Sequence, residues 1–307
     1  MGRSSVQGSP LRILLTGKNG QVGHELLRAL SVVGEVFAVG SADCDFNDAS
    51  ALRALVHQIN PDFIVNPAAY TAVDRAESER ETALAVNAVA PGVLAEESER
   101  CGATIVHFST DYVFDGEAQK PYAEGDHANP LSIYGATKLA GEAAVAGRCP
   151  RHFIFRTGWV YGVHGRNFPK TILRLAAERD SLSVVSDQHG APTAASLLAD
   201  TTAHAIRQAA ASPDEAGYGL YHVAASGSTT WFDYAVYLVE RARALGASQL
   251  VGRDRITPLL SDQYPVAARR PRYSRLDCAK FGRAFGLRLP DWREGVDRFV
   301  QDMLGER

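Results

Sequence analysis

Seven residues, GKNGQVG at 17–23, constrain this chain more than any other stretch. They follow an apolar run, Leu11 to Thr16, and precede Val22, Leu26, Leu30 and Val33 at helical spacing. Glycine lacks a Cβ, so the backbone can turn sharply and approach a bound group closely. The helix start then offers unpaired N–H groups and the positive end of its dipole. The spacing, G-x-x-G-x-x-G, departs from the usual G-x-G-x-x-G. Its strand–loop–helix setting nevertheless points to the pyrophosphate of a dinucleotide.

The rest of the first half alternates between strands and helices. Glu35–Val39, Phe63–Val65 and Thr104–Phe108 read as strands, and residues 51–59 and 81–99 as helices. Such alternation predicts an α/β fold with a Rossmann-like, doubly wound parallel sheet. Phe153–Phe155 and Leu220–Val223 predict further strands of that sheet. Helices over 167–178, 195–210 and 231–244, with loops rich in Pro, Gly and Arg, predict a smaller C-terminal α/β region. The expected division is a flexible extension over 1–10 and an NAD(P)-binding domain over 11–160 with a returning strand near 218–225. A substrate-binding region over 161–307 is interleaved with that domain. Ligands of such sheets sit at the carboxyl ends of the strands. Gly17, Ala68-Ala69 and Ser109-Thr110 fall at three such ends.

Composition narrows the partners. Lys and Arg total 32 against 35 Asp and Glu, so the chain lacks the basic surface of a nucleic-acid binder. No run approaches the ~18 apolar residues of a membrane helix. The opening MGRSSVQGSP has no apolar centre, so no secretory signal is expected. Cys44, Cys101, Cys149 and Cys278 are scattered and the nine histidines show no ligand spacing, so no metal is expected. Scattered thiols fit a reducing, cytoplasmic setting.

Tyr134 and Lys138 form Y-x-x-x-K, and on a helix they share a face. A cation beside a phenol is expected to lower the tyrosine pKa and fit it for proton transfer. Lys138 can also reach a nicotinamide ribose, and the Thr110 hydroxyl can hold a carbonyl for hydride attack. At the adenosine end, the second strand closes on Val39-Gly40-Ser41 without a carboxylate, and Asp43 lies beyond it. With Lys18 nearby, that leaves NADPH and NADH both open. Asp45 and Phe46 either flank the adenine, or Asp45 caps a turn.

These residues resemble the extended short-chain dehydrogenase/reductase superfamily and, within it, the dTDP-4-dehydrorhamnose reductase family. The similarity runs through GKNGQVG (17–23), HFSTDYVFDG (107–116), YGATKLAGE (134–142), FRTGWVYG (155–162), NFPKTILRLA (167–176), SDQHGAPT (186–193) and Asp291-Trp292. It implies NAD(P)H-dependent reduction of a nucleotide-sugar ketone at C4, with Tyr134, Lys138 and Thr110 catalytic. It also implies cofactor contacts from Gly17, Asn19, Gly20, Gln21 and Val22 of the glycine loop, from Asp45 and Phe46, and from Ala69, Tyr70, Thr71 and Phe108. Asp111 and Trp159 would meet the sugar. Asn167 and Phe168 open a helix where a diphosphate or base can sit; Phe168 reads equally well as core. The cluster Arg269–Arg275 is either a solvated face or a diphosphate clamp. The family's R-P-x-x-S-x-L pattern, matched from Arg270 to Leu276, favours the clamp. Family members bridged by magnesium carry an acidic residue where Ala195-Ser196 stands, so a monomer is favoured over a homodimer. Three alternatives remain: another ketoreductase, an epimerase, or a non-catalytic regulatory subunit like that of methionine adenosyltransferase. A 4,6-dehydratase would carry a Glu where Tyr112 stands.

Overall fold

A computed structural model describes residues 10–305; the extension expected over 1–10 lies, apart from Pro10, outside the described residues. The chain opens β1 (Leu11–Leu15), α1 (Gln21–Leu30), β2 (Gly34–Ala38), α2 (Ala49–Ile59) and β3 (Phe63–Asn66). Two short helices follow, α3 (Val73–Ala76) and α4 (Arg80–Leu84). Next come α5 (Ala90–Cys101), β4 (Thr104–Thr110), α6 (Ile133–Ala146) and β5 (His152–Thr157). β3 and β4 are buried at every position, as strands covered on both faces must be. Helix ends follow local chemistry. The Asp48 side chain accepts from the N–H groups of Ser50 and Ala51 at the start of α2. Ser132 accepts from Gly135 N at the start of α6. Gly102 closes α5 in the left-handed conformation.

The helix expected over 81–99 contains a π turn at Ala85–Val89. Pro91 sits in the first turn of α5 and has no N–H to give. The wider turn places the Asn87 carbonyl against Gly141 of α6, where a Cβ would lie 2.1 Å from that oxygen.

The second half adds β6 (Val160–Tyr161), α7 (Phe168–Glu178), β7 (Leu182–Val185), β8 (His189–Gly190) and β9 (Thr193–Ala194). It continues with α8 (Ala195–Ala211), β10 (Gly219–His222), β11 (Thr229–Thr230), α9 (Trp231–Ala244) and β12 (Ile256–Leu259). It ends with α10 (Ala279–Phe285) and α11 (Trp292–Gly305). The main sheet has the order β2-β1-β3-β4-β5-β10, and every pairing in it is parallel. Its growth reverses between β1 and β3, and the crevice at such a switch point is where doubly wound sheets bind ligands. β10 returns to this sheet as expected, and Phe281 and Phe285 of α10 join its core. A second core, built on Tyr161, Tyr234, Leu238, Trp292, Val296 and Phe299, holds α7, α9 and α11 together. Among the described residues, no helix is long and apolar enough to cross a membrane.

Candidate active site

The glycine loop leaves β1 through Gly17, whose φ is +63°. A Cβ there would stand 2.9 Å from Ala68 Cα, and one on Gly23 would stand 2.0 Å from the Gly17 carbonyl oxygen. Both glycines are therefore required by close backbone approach. Gly20 begins α1, and no side chain caps it. The first-turn N–H groups of Gln21, Val22 and Gly23 have no partner within the helix and face the crevice end of the sheet. This cradle fits a pyrophosphate. Gln21 Oε1 accepts from Asn167 Nδ2 at 2.8 Å, tying the loop to the second half of the chain. The other Asn167 side-chain contacts are a helix cap on Lys170 N and a bond to the Gly162 carbonyl.

At the adenosine end the structure corrects the expectation of a strand end without a carboxylate. The chain folds back so that Asp43 Oδ2 accepts from Gly40 N at 2.8 Å and pairs with Lys18 Nζ at 2.8 Å. Those contacts hold the Asp43 carboxyl below its ordinary pKa. Lys18 is thus partnered rather than isolated. Asp45 Oδ1 accepts from both the backbone and the side chain of Asn47, the turn-capping arrangement, with Phe46 half-buried beside it. After β3, the backbone of Tyr70 is held on both sides by Asn87: Tyr70 N donates to Oδ1 at 2.8 Å, and Nδ2 donates to Tyr70 O at 3.1 Å. Asn87 thereby fixes the loop Ala69-Tyr70-Thr71.

The ends of β4 and α6 bring Thr110, Asp111, Tyr134 and Lys138 together. Thr110 lies beside Tyr134 and donates to Asp111 Oδ1 at 3.1 Å. Lys138 is 2% exposed, and its Nζ donates to the Phe108 carbonyl at 2.6 Å. Burial pushes its pKa down to about 8, and Glu142 one turn along opposes that shift. The expected lowering of the Tyr134 pKa is not observed. Burial pushes the phenol up to about 12, Thr110 partly offsets this, and Asp111 adds to it. The reason is geometric: the ammonium is aimed at the Phe108 carbonyl and His107, not at the phenol. Burial also raises Asp111 to about 6, which the nearby Ser274 and Thr110 hydroxyls partly offset.

Behind these groups, Glu142 takes two bonds from Arg156, at 2.8 and 2.6 Å, and one from the Ser109 hydroxyl at 2.5 Å. This buried pair ties β4, β5 and α6 at the level of the site. Neither Asn87 nor Glu142 was singled out from sequence, although Glu142 lies one helical turn beyond Lys138.

Gly158 gives the Asp111 carboxylate its room, since a Cβ there would lie 2.5 Å from Oδ2. Gly158→Ala should displace Asp111, raise KM for the sugar substrate at least tenfold (~1.4 kcal/mol) and leave cofactor affinity unchanged. Paired kinetic and cofactor titrations check this.

A cavity of about 810 Å³ opens beside the site, lined by Tyr112, Phe168, Val184, Trp231 and Tyr264 and by Arg269, Arg270 and Arg272. That volume suits a mid-sized ligand. Tyr112 joins cavity to site through an edge contact with Tyr134, ring centroids 5.8 Å apart. Trp159 stands one ring back: it stacks on Trp231 at 3.6 Å, with its own backbone at φ +51°. Gly190 seats it, because a Cβ there would lie 2.4 Å from the indole. Arg270 is held in two-point contact by Asp74, at 3.2 and 2.6 Å, and its guanidinium lies near Tyr112.

A parallel sheet with a glycine cradle at its switch point, and a Thr–Tyr–Lys set beside it, defines an extended short-chain dehydrogenase/reductase, an oxidoreductase. Comparison narrows the class. The model of the RmlD substrate binding domain family matches residues 11–304. dTDP-4-dehydrorhamnose reductase of Escherichia coli K12 is 50% identical over 298 residues, which cover 96% of this chain and 98% of that protein. A crystal structure of dTDP-4-dehydrorhamnose reductase from Clostridium acetobutylicum superposes with a TM-score of 0.87 at 37% identity. It covers 95% of this chain and 99% of that one. The Bacillus anthracis reductase, solved in complex with NADP, gives 0.86 at 35% identity with the same coverage. The chain belongs to the dTDP-4-dehydrorhamnose reductase family.

Proposed function

We propose that this enzyme reduces the C4 ketone of dTDP-4-dehydro-β-L-rhamnose to dTDP-β-L-rhamnose, the last step of dTDP-L-rhamnose biosynthesis. NADPH or NADH, when bound, supplies the hydride. The observation that carries the reading is the meeting of Thr110, Tyr134 and Lys138 between the glycine cradle and the cavity. The Thr110 hydroxyl holds the ketone oxygen. Tyr134 gives that oxygen a proton as the carbon accepts hydride, and its raised pKa keeps it protonated until charge develops there. Lys138 holds the cofactor ribose. Asp111 accepts from a sugar hydroxyl. Gly17, Asn19, Gly20, Gln21 and Val22 hold the pyrophosphate; Ala69, Tyr70, Thr71 and Phe108 line its path, and Asp45 and Phe46 lie at the adenine end.

Under the same proposal, residues 11–160 with the strand near 218–225 bind the cofactor, and residues 161–307 complete the sugar-nucleotide site. Trp159, Asn167 and Phe168 support that site, and Arg270 faces the diphosphate. Arginine offers paired donors matched to phosphate oxygens. Arg270→Lys should lose the two-point geometry and raise KM about tenfold with kcat little changed. A fall in kcat at unchanged KM would move Arg270 from binding to chemistry. The working unit is a cytoplasmic monomer or homodimer that needs neither nucleic acid nor membrane.

Deuterium tracing tests the reaction. With NADPH deuterated at the transferable position, the label should appear at C4 of dTDP-rhamnose. Label elsewhere in the sugar, or reduction without label at C4, would contradict the assignment.

A further inference from the structure

Lys138 has a second partner that the reaction does not explain. His107, on β4, places Nε2 3.3 Å from Lys138 Nζ. On its other side, His107 Nδ1 lies 3.1 Å from Asn66 Nδ2, at the end of β3. Asn66 Oδ1 in turn takes the Thr16 hydroxyl at 2.6 Å, at the end of β1. Thr16 and His107 are fully buried and Asn66 is 1% exposed. A four-residue chain thus runs across β1, β3 and β4, from the residue before the glycine loop to the catalytic lysine. It ends inside the sheet, so it carries no proton to water.

Donor and acceptor counting decides how this chain works. A neutral imidazole carries one N–H. With Nδ2 of Asn66 toward the ring, Nδ1 must accept and Nε2–H points at Lys138. Against an ammonium, that sets a donor against a donor. Rotating the Asn66 amide by half a turn removes the conflict. Oδ1 then accepts from Nδ1–H, Nδ2 donates to the Thr16 hydroxyl, which can accept as readily as donate, and the bare Nε2 accepts from the ammonium. Burial and the neighbouring Lys138 charge hold His107 well below its ordinary pKa, so it stays a one-proton ring.

We propose that His107 is a positioning residue: Thr16 and Asn66 fix it as the Nδ1–H tautomer, and its Nε2 accepts from Lys138 and holds that side chain as an ammonium at the site. Other ionisable groups around Lys138 are few. Its own helix brings Tyr134 and Glu142, β5 brings Arg156, which Glu142 already pairs, and the turn after β4 brings Asp111. The π turn packed on α6 contributes only the neutral Asn87. Glu77 of the α3–α4 link accepts from Ile133 N, and Asp74 of α3 pairs with Arg270. The charges Glu96, Glu97 and Arg100 of α5 pair among themselves and with Arg53.

The kinetic consequence rests on the proposed role of Lys138; the tautomer does not. Hydrogen bonding to a charged form favours it, so loss of the acceptor should make Lys138 easier to deprotonate. His107→Leu should move the alkaline limb of kcat/KM down by about one pH unit. His107→Gln, which keeps an acceptor, should move it less. An unchanged limb in a folded His107→Leu enzyme that binds NADPH would overturn the proposal. The tautomer is read directly from ¹⁵N-histidine-labelled wild-type protein in long-range ¹H–¹⁵N spectra. Nδ1–H with bare Nε2 is expected, and Nε2–H would overturn the proposal whether or not the variants fold. Protein inactive on the keto sugar yet showing Nδ1–H would fail the functional reading alone.

Discussion

Tyr134→Phe should bind NADPH as the wild type does and lose most turnover, by a factor of about 10² to 10⁴. The substitution removes one oxygen. The ring keeps its edge contact with Tyr112, and the Lys138 contacts to the Phe108 carbonyl and His107 do not involve the phenol. What is lost is the proton for the developing alkoxide. Thr110 still has Asp111 as an acceptor, so the carbonyl-holding group stays in place. Fluorescence titration of cofactor alongside kcat checks both halves. Undiminished turnover would remove Tyr134 as the donor.

Lys138→Met should damage cofactor affinity and turnover together, with turnover down ~10²-fold or more. Methionine fills the space of the lysine stem but leaves the Phe108 carbonyl and His107 Nε2 without a donor. The pH dependence gives a sharper readout. Burial has brought the Lys138 pKa down to about 8, so the ammonium is present below that value and lost as pH rises through it. Wild-type kcat/KM should therefore fall above about pH 8. The residual activity of the Met variant should lack that limb. A variant with the same limb would assign it to another group.

Much of the site is legible in sequence because its chemistry is local. The glycine loop, Thr110 and the Tyr134–Lys138 spacing each announce themselves within seven residues, and strand alternation brings them to one sheet edge. What stays hidden depends on distant partners. Asn66 and His107 look like ordinary strand residues until β1, β3 and β4 align in register. Asp43 looks stranded beyond β2 until the chain turns back on Gly40. Spacing shows that Tyr134 and Lys138 share a helix face, not where the ammonium points. β6, β8, β9 and β11 span two residues each, too short for any alternation to register. α11 does carry apolar residues at helical spacing, Trp292, Val296, Phe299 and Val300, but among five charged residues. Its partner face on α9 appears only in the fold.

The most direct test of the reductase assignment follows the loss of reduced-nicotinamide absorbance with dTDP-4-dehydro-β-L-rhamnose generated in place by upstream enzymes. Oxidation of NADPH or NADH should require the keto sugar and yield dTDP-L-rhamnose stoichiometrically. The ratio of kcat/KM for the two cofactors would then measure what the Lys18–Asp43 pair does to the 2′-phosphate. Protein that binds cofactor but oxidises neither form with this sugar would contradict the assignment, and turnover of a different keto sugar would redirect it.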